Sequence, residues 1–453
     1  MQSQVVDHVQ IQVEDTFFSV DKDLLVEHSE YFRALFQSGM RESTQKEIQI
    51  RNLSSAGFCI LLKVLEGECP LLSCEENLKA VECASFLQVK ALAKYLIVSI
   101  NSDNCIILYQ AAAMFGLLDL FHKAALYIRD SYSELEEYLD CLSPDLLDYV
   151  ESLLPSSFVA VGAHTPTYEF LEDVSRSICY LEEETNTWRT LSYLPLTAST
   201  FLAGMTTLDN KIYIVGGVYG YNKQVVDQSF CYDPVSNLWS QFSSPQQLRY
   251  DITLTALEDT LYAIGGEFEK TPLKSVEKFN LSTNKWDFLS DLPQPAAAVP
   301  CAQAMGRIFV CLWKPLDTTI IYEYLPQKDE WLPISTLTQP QSYGHCMVSH
   351  RDNLYVMRNG PFDDFLRCML DRFNLTTMQW TSLPGQYMNS KGALFTAIIK
   401  GDTVYTVNKM LTLLYTIEDS KWKFKKEKAG FPRSGSLQTF LLRFPRTDHS
   451  IAT

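Results

Sequence analysis

The chain has 453 residues, enough for two to four domains, and its 46% hydrophobic and 20% charged residues are the balance of a folded globular protein rather than a disordered one. Lys and Arg number 38 against 54 Asp and Glu, a net charge of −16, which argues against a protein that works by neutralising nucleic-acid phosphates. The acidity is uneven: residues 1–155 carry 11 basic and 24 acidic side chains, a net −13, while the rest carry 27 and 30, a net −3.

The first ten residues lack the basic and apolar regions of a signal peptide, and no uncharged apolar run nears the ~18–20 residues of a membrane helix. Twelve cysteines are scattered without a Cys-x-x-Cys pair. They are expected to be buried free thiols of a reducing compartment, with no metal and no cofactor. The expected location is cytoplasmic, extending to the nucleus or cytoskeleton, with neither nucleic acid nor membrane as a partner.

In chain order, Ile11–Val13 and Phe17–Val20 predict a hairpin about Glu14-Asp15. Residues 23–38 predict one or two amphipathic helices, stopped at Gly39. Residues 47–50 predict a strand, and 54–66 and 75–100 predict helices with apolar residues at spacings of three and four. Residues 101–154 leave room for three or four more helices of about 11–12 residues.

The second half repeats. Trp188, Trp239, Trp286, Trp331, Trp380 and Trp422 recur at gaps of 51, 47, 45, 49 and 42 residues. Seven residues before each stands Leu181, Tyr232, Phe279, Tyr324, Phe373 or Tyr415, with a polar turn between, so each pair predicts two strands joined by a hairpin. A further β-rich run lies upstream of each pair, as in Lys211–Gly217 and Thr260–Gly266, and from the second copy onward a short apolar strand precedes it. Four strands per unit of 40–50 residues is the unit of a β-propeller, in which stacking covers both apolar faces of every blade. The first copy, from about Ser157, has no strand before it, and Ser436–Phe444 is a strand without a blade. The expectation is a six-bladed ring whose C-terminal strand completes the first blade.

The Gly-Gly doublet at 216–217 and 265–266, followed by the spaced Tyr and Trp, resembles Kelch repeats over about residues 155–445, although Leu312-Trp313, Arg358-Asn359 and Asn408-Lys409 replace the doublet later. The run Ser29–Ser43 (SEYFRALFQSGMRES), with Ala84–Val89 and Asn104-Cys105, resembles a BTB (POZ) domain, and 101–154 resembles a shortened BACK segment. The implied organisation is an α+β BTB domain at 1–100, a truncated all-α BACK-like segment at 101–154, an all-β six-bladed Kelch propeller at 155–445 and a disordered tail at 446–453.

This order resembles the kelch-like substrate adaptors of cullin-3 ubiquitin ligases. The resemblance implies a non-enzymatic protein whose BTB domain docks cullin-3 and whose propeller holds a protein substrate. Met40-Arg41-Glu42 matches the family's hydrophobic-x-Glu contact. Met40 would fill an apolar pocket, Glu42 would set orientation, and Phe36, one turn earlier, would join that face. The resemblance also implies a BTB homodimer, weakened here because the family's N-terminal helix and swapped strand are not seen before Asp7.

A substrate would meet the loops between second and third strands: 218–228, 267–275, 313–318 and 359–366. Tyr219, Tyr221, Arg249, Trp313, Arg358 and Phe362 are the anchor types of binding hot spots, and the two arginines would fork onto an acidic partner segment. One rival reading is a scaffold that binds cytoskeletal or other protein without recruiting a ligase. Another is a metal-dependent or hydrolytic propeller enzyme, which the sparse histidines His164, His345 and His350 do not favour.

Overall fold

The computed structural model describes residues 8–39, 45, 47–164, 175–185, 187–219, 224–314, 318–338, 343–362, 365–389, 396–401, 403–407, 411–417, 420–426, 430–432 and 434–445. Side chains are described throughout these except at 343–345, 359–362, 365–368, 385–389, 411–413, 424–426 and 434–436. The chain divides into two units, Met1–Pro155 and Ser156–Thr453.

Unit 1 opens with β1 (His8–Val13) and β2 (Thr16–Asp21), an antiparallel hairpin turned at Glu14, whose φ is 51°. Helices α1 (Lys22–His28) and α2 (Glu30–Gln37) follow, then β3 (Glu47–Ile50), which pairs parallel to β1. The sequence left one helix or two between 23 and 38. Two form because Ser29 is buried and engaged on both sides: its Oγ accepts from Phe32 N at 3.2 Å, capping α2, and donates to Leu87 O at 2.6 Å.

Helices α3 (Ser55–Leu65), α4 (Cys74–Phe86) and α5 (Lys90–Val98) complete this core around Ile11, Leu25, Phe32, Phe58 and Leu92. The single helix expected over 75–100 is instead broken at Gln88, where φ is 50°, and Val89 bridges to Ser29. That tertiary bond between distant backbone segments overrides the helical periodicity on either side. Helices α6 (Cys105–Phe115), α7 (Leu118–Asp130), α8 (Tyr132–Leu139) and α9 (Pro144–Ser152) share a second core built on Tyr109, Ala125, Ile128 and Val150. Among the described residues, no helix is long and apolar enough to cross a membrane.

Among the described residues, unit 2 holds six four-stranded antiparallel sheets. Sheet 1 takes its first strand, Ser434–Leu442, from the C-terminal end and pairs it with Ser157–His164, followed by Ser175–Glu182 and Thr187–Tyr193. Sheets 2 to 6 begin at Gly204–Leu208, Thr253–Leu257, Cys301–Ala304, Tyr343–His350 and Thr396–Lys400, and each runs in chain order to the strand that carries its Trp. Each first strand lies against the first strand of the next sheet, and Thr396–Lys400 meets Ser434–Leu442, which in turn meets Gly204–Leu208. Apolar clusters sit between consecutive sheets, the last of them joining Tyr405 and Val407 of sheet 6 to Phe158 and Trp188 of sheet 1.

The tryptophan period has a directional cause. Indole Nε1 of Trp239, Trp286, Trp331, Trp380 and Trp422 donates to Ser192, Ser243, Ser290, Ser335 and Pro384, each within or just past the preceding sheet's fourth strand. Each Trp therefore fills the wedge and bonds across it. Two residues before these five tryptophans stand Asn237, Asn284, Asp329, Met378 and Ser420, all with φ between 51° and 57°.

Gly-Gly has a local consequence. In sheets 2 and 3 the doublet takes φ of 62° and 92°, then 58° and 102°, which ends the second strand and starts a separate two-residue hairpin. In sheets 4 and 5, which lack the doublet, the second and third strands run on unbroken, Arg307–Lys314 with Thr318–Leu325 and Asn353–Phe362 with Phe365–Asn374. The tail expected at 446–453 lies outside the described residues.

Candidate functional site

In unit 1, Ser29 caps the start of α2, and Phe36 lies in its last turn. The Phe36 ring is half-buried, stacks on the buried Phe32 at 6.1 Å and carries the Lys22 ammonium 4.6 Å above its centroid. It presents an aromatic face with a cation beside it. Met40 and Glu42 lie outside the described residues, just beyond Gly39, whose φ of 68° ends the segment.

In unit 2, the loop-end candidates separate into exposed and buried groups. Tyr219 is 43% exposed and Trp313 49% exposed. Both stand where the second strand of a sheet gives way to the third, in sheets 2 and 4 respectively. Phe362 ends the second strand of sheet 5, with its side chain undescribed, and Tyr221 lies outside the described residues.

Arg249 and Arg358 do not reach the surface, which corrects the expectation that they fork onto a partner. Each is 1% exposed and paired with a buried acid, Arg249 with Glu277 and Arg358 with Asp371. Arg249 also donates to Gly265 O at 2.9 Å and Ser275 O at 2.8 Å, while Glu277 accepts from the Gln246 and Gln247 amides at 2.7 and 3.1 Å. Burial lowers the Arg249 pKa from its ordinary value, and the Glu277 carboxylate offsets part of that. A buried carboxylate in each of these repeats demands a cation, and the arginine supplies it from within.

The loops expected from sequence all lie within repeats, and a connection between repeats joins them. Leu196, 86% exposed, and Thr197 face Tyr219, Val225 and Asp227 across a cleft of about 330 Å³. Arg176 braces two of these residues: it donates to the carbonyls of Leu196, at 2.8 Å, and Ala198, and its guanidinium carbon lies 5.3 Å from the Tyr219 ring centroid. This small cleft has an apolar lip, an aromatic wall and an acid, a format suited to a polypeptide side chain. The one sequence signal for Leu196 was a leucine inside a Pro-containing turn between two repeats.

His164 Nε2 lies 2.9 Å from Ser177 Oγ and 3.5 Å from Cys179 Sγ. Burial pushes the Cys179 thiol up and the His164 imidazole down, so both are held neutral, the opposite of a thiolate–imidazolium nucleophile. His345 and His350 share the first strand of sheet 5, and the His345 side chain lies outside the described residues. Among the described residues, no three of His, Cys, Asp and Glu gather as a metal site.

Comparison with known proteins matches the BTB/POZ domain model to residues 2–104 and the Kelch motif model to 200–246 and 248–293, the two repeats with Gly-Gly. The chain is 58% identical over 438 residues to Kelch repeat and BTB domain-containing protein 13 of Homo sapiens, covering 96% of this chain and 95% of that one. It is 29% identical to Kelch-like protein 42 of Mus musculus (90% of this chain, 91% of that one) and 22% identical to Kelch-like protein 26 of Danio rerio (84% and 80%). The chain belongs to the BTB-Kelch family.

Proposed function

We propose that this protein is the substrate-recognition adaptor of a cullin-3 RING ubiquitin ligase, with no chemistry of its own. In this reading residues 1–100 act as the BTB domain and 101–154 as a short BACK-like spacer. Residues 155–445 close as a six-bladed propeller, a reading supported by the sequence of first-strand contacts and by the pairing of Ser434–Leu442 with Ser157–His164. Phe36, Met40 and Glu42 dock the cullin. Tyr219 and Trp313, with Tyr221 and Phe362, receive a protein substrate, and Leu196 and Arg176 join them at the cleft. Self-association through unit 1 belongs to the same reading, as does a cytoplasmic location.

The observation that carries the proposal is the joining in one chain of a BTB domain and Kelch repeats. The half-exposed Phe36, one helical turn before the Met40–Glu42 motif, supports the docking role. The test is titration of the full chain with the N-terminal domain of cullin-3. Micromolar or tighter binding is expected, and Met40→Asp with Glu42→Lys should abolish it. A wild-type chain with no measurable affinity would instead support a scaffold that never recruits a ligase.

A further inference from the structure

The fourth strand of sheet 6, Lys421–Lys426, reads Lys-Trp-Lys-Phe-Lys-Lys, and residues 421–428 hold five lysines against the single acid Glu427. This is a concentrated positive charge in a protein of net charge −16. Alternation along the strand places Lys421 and Lys423 on one face and Trp422 on the other. Trp422 is turned toward sheet 5, where it donates to Pro384 O at 2.6 Å. Lys421 and Lys423 are exposed.

Among the described residues the strand pairs on one side only, with Leu411–Thr416, and its outer edge is unpaired. Lysines on an edge strand commonly serve only to keep other chains away. The other five sheets are internal controls for that explanation. Their outer strands end the sheets in the same way, yet the residues on either side of the Trp are Thr187 and Arg189, Leu238 and Ser240, Lys285 and Asp287, Glu330 and Leu332, and Gln379 and Thr381. Protection of such an edge in this protein therefore needs no lysine row.

We infer that the outer edge of sheet 6 docks an extended acidic polypeptide as an added fifth strand. Same-face residues of a strand recur every ~6.5 Å, so alternate carboxylates of the incoming strand meet Lys421 and Lys423 in register. Main-chain hydrogen bonds to the open edge select a polypeptide over a nucleic acid or a lipid surface, and the negative charge of the rest of the protein repels longer polyanions. This surface is separate from the Tyr219 cleft and does not depend on the ligase reading.

The test is fluorescence anisotropy of the full-length protein with a labelled peptide of alternating Glu and Thr. Saturable binding that weakens with salt is expected. Lys421→Glu with Lys423→Glu should weaken it about tenfold, while Lys285→Glu on the equivalent strand of sheet 3 should change it less than about twofold. A peptide of the same composition with its glutamates contiguous should bind several-fold more weakly. Absence of binding, equal affinity in the double variant, or equal or tighter binding of an oligo-dT strand or phosphatidylserine vesicles overturns the proposal.

Discussion

Arg358 stands at the sheet position that Gly265 fills two repeats earlier. Leu261 opposes Phe279 in sheet 3 and Leu354 opposes Phe373 in sheet 5, which makes Glu277 and Asp371 equivalent as well. Both acids are buried, and each is neutralised by an arginine reached by a different route. In sheet 3 it comes from the preceding connection, as Arg249, and passes beside Gly265, where a Cβ would lie 2.3 Å from Ala296 O. In sheet 5 it comes from the strand itself. The ion pair persists while the residue supplying it moves.

These pairs should govern stability rather than partner choice. Arg249→Met leaves Glu277 charged and buried, together with the carbonyls of Gly265 and Ser275, and should cost about 3–5 kcal/mol. The same truncation at exposed Lys285 should cost less than about 0.5 kcal/mol. Denaturant unfolding of the two variants measures the difference. An Arg249→Met protein of wild-type stability would mean that the pair does not secure the sheet.

The hairpin turn of unit 1 controls a helix far along the chain. No side chain caps α3 at Ser54, but Glu14 reaches it, its Oε2 accepting from Ser55 Oγ at 2.6 Å and Ser55 N at 3.1 Å. The Ser55 side-chain bond, then its backbone bond, lower the Glu14 pKa below 4.5, and backbone and side-chain bonds from Ser73 lower Glu76 likewise at the start of α4. A carboxylate with a depressed folded pKa stabilises fully above the unfolded value and loses that contribution as pH falls through the folded one. The protection of α3 and α4 amides, measured against intrinsic exchange at each pH, should therefore fall below about pH 4.5. Glu14→Gln should lower α3 protection at neutral pH and flatten the acid dependence of that protection, leaving α4 unaltered.

Much of this was legible in advance. The Trp period, the Tyr or Phe seven residues earlier and the orphan C-terminal strand are local patterns, and pairings at fixed offsets follow from them directly. What was not legible depends on long-range contact. Gln88 interrupts a continuous helical pattern because Val89 must bridge to Ser29. Arg249 and Arg358 look like surface anchors when taken singly, and their burial emerges only when each is aligned with the acid of its own repeat. Leu196 escaped because it belongs to a connection whose neighbour, Tyr219, lies in the next sheet.

The C-terminal strand is held by a side chain from another sheet. Asn210, in the first turn of sheet 2, donates through Nδ2 to Arg443 O and accepts through Oδ1 from Arg443 N, both at 2.7 Å. Phe440, Leu442 and Phe444 pack into the cluster shared with sheet 2. Asn210→Ala should cost about 1–3 kcal/mol, because it removes two hydrogen bonds to the Arg443 backbone at once. It should also accelerate amide exchange in Ser434–Leu442 more than in the first strand of sheet 3. Equal acceleration in both would show a global loss rather than release of this latch.

The turn before each Trp defines a stabilising substitution. Residues with φ near +55° favour Asn, Asp or Gly, and Asn237, Asn284 and Asp329 comply where Met378 and Ser420 do not. In sheets 2 and 4 the turn residue also accepts a hydrogen bond, with Tyr232 donating its hydroxyl to Asn237 Oδ1 at 2.9 Å and Tyr324 donating to Asp329 Oδ1 at 2.8 Å. In sheet 6 the same geometry places Ser420 opposite Tyr415, whose buried hydroxyl lacks a partner among the described residues. Ser420→Asn provides both the backbone tolerance and the acceptor, so it should raise stability by about 1–2 kcal/mol. Met378→Asn, next to Phe373 with no hydroxyl to satisfy, should gain only the backbone part, about 1 kcal/mol. Adding Tyr415→Phe separates the two effects: the extra gain from Ser420→Asn should vanish while the backbone gain remains. Thermal unfolding of the three variants decides it, and a Ser420→Asn protein no more stable than wild type would show that Tyr415 is already satisfied.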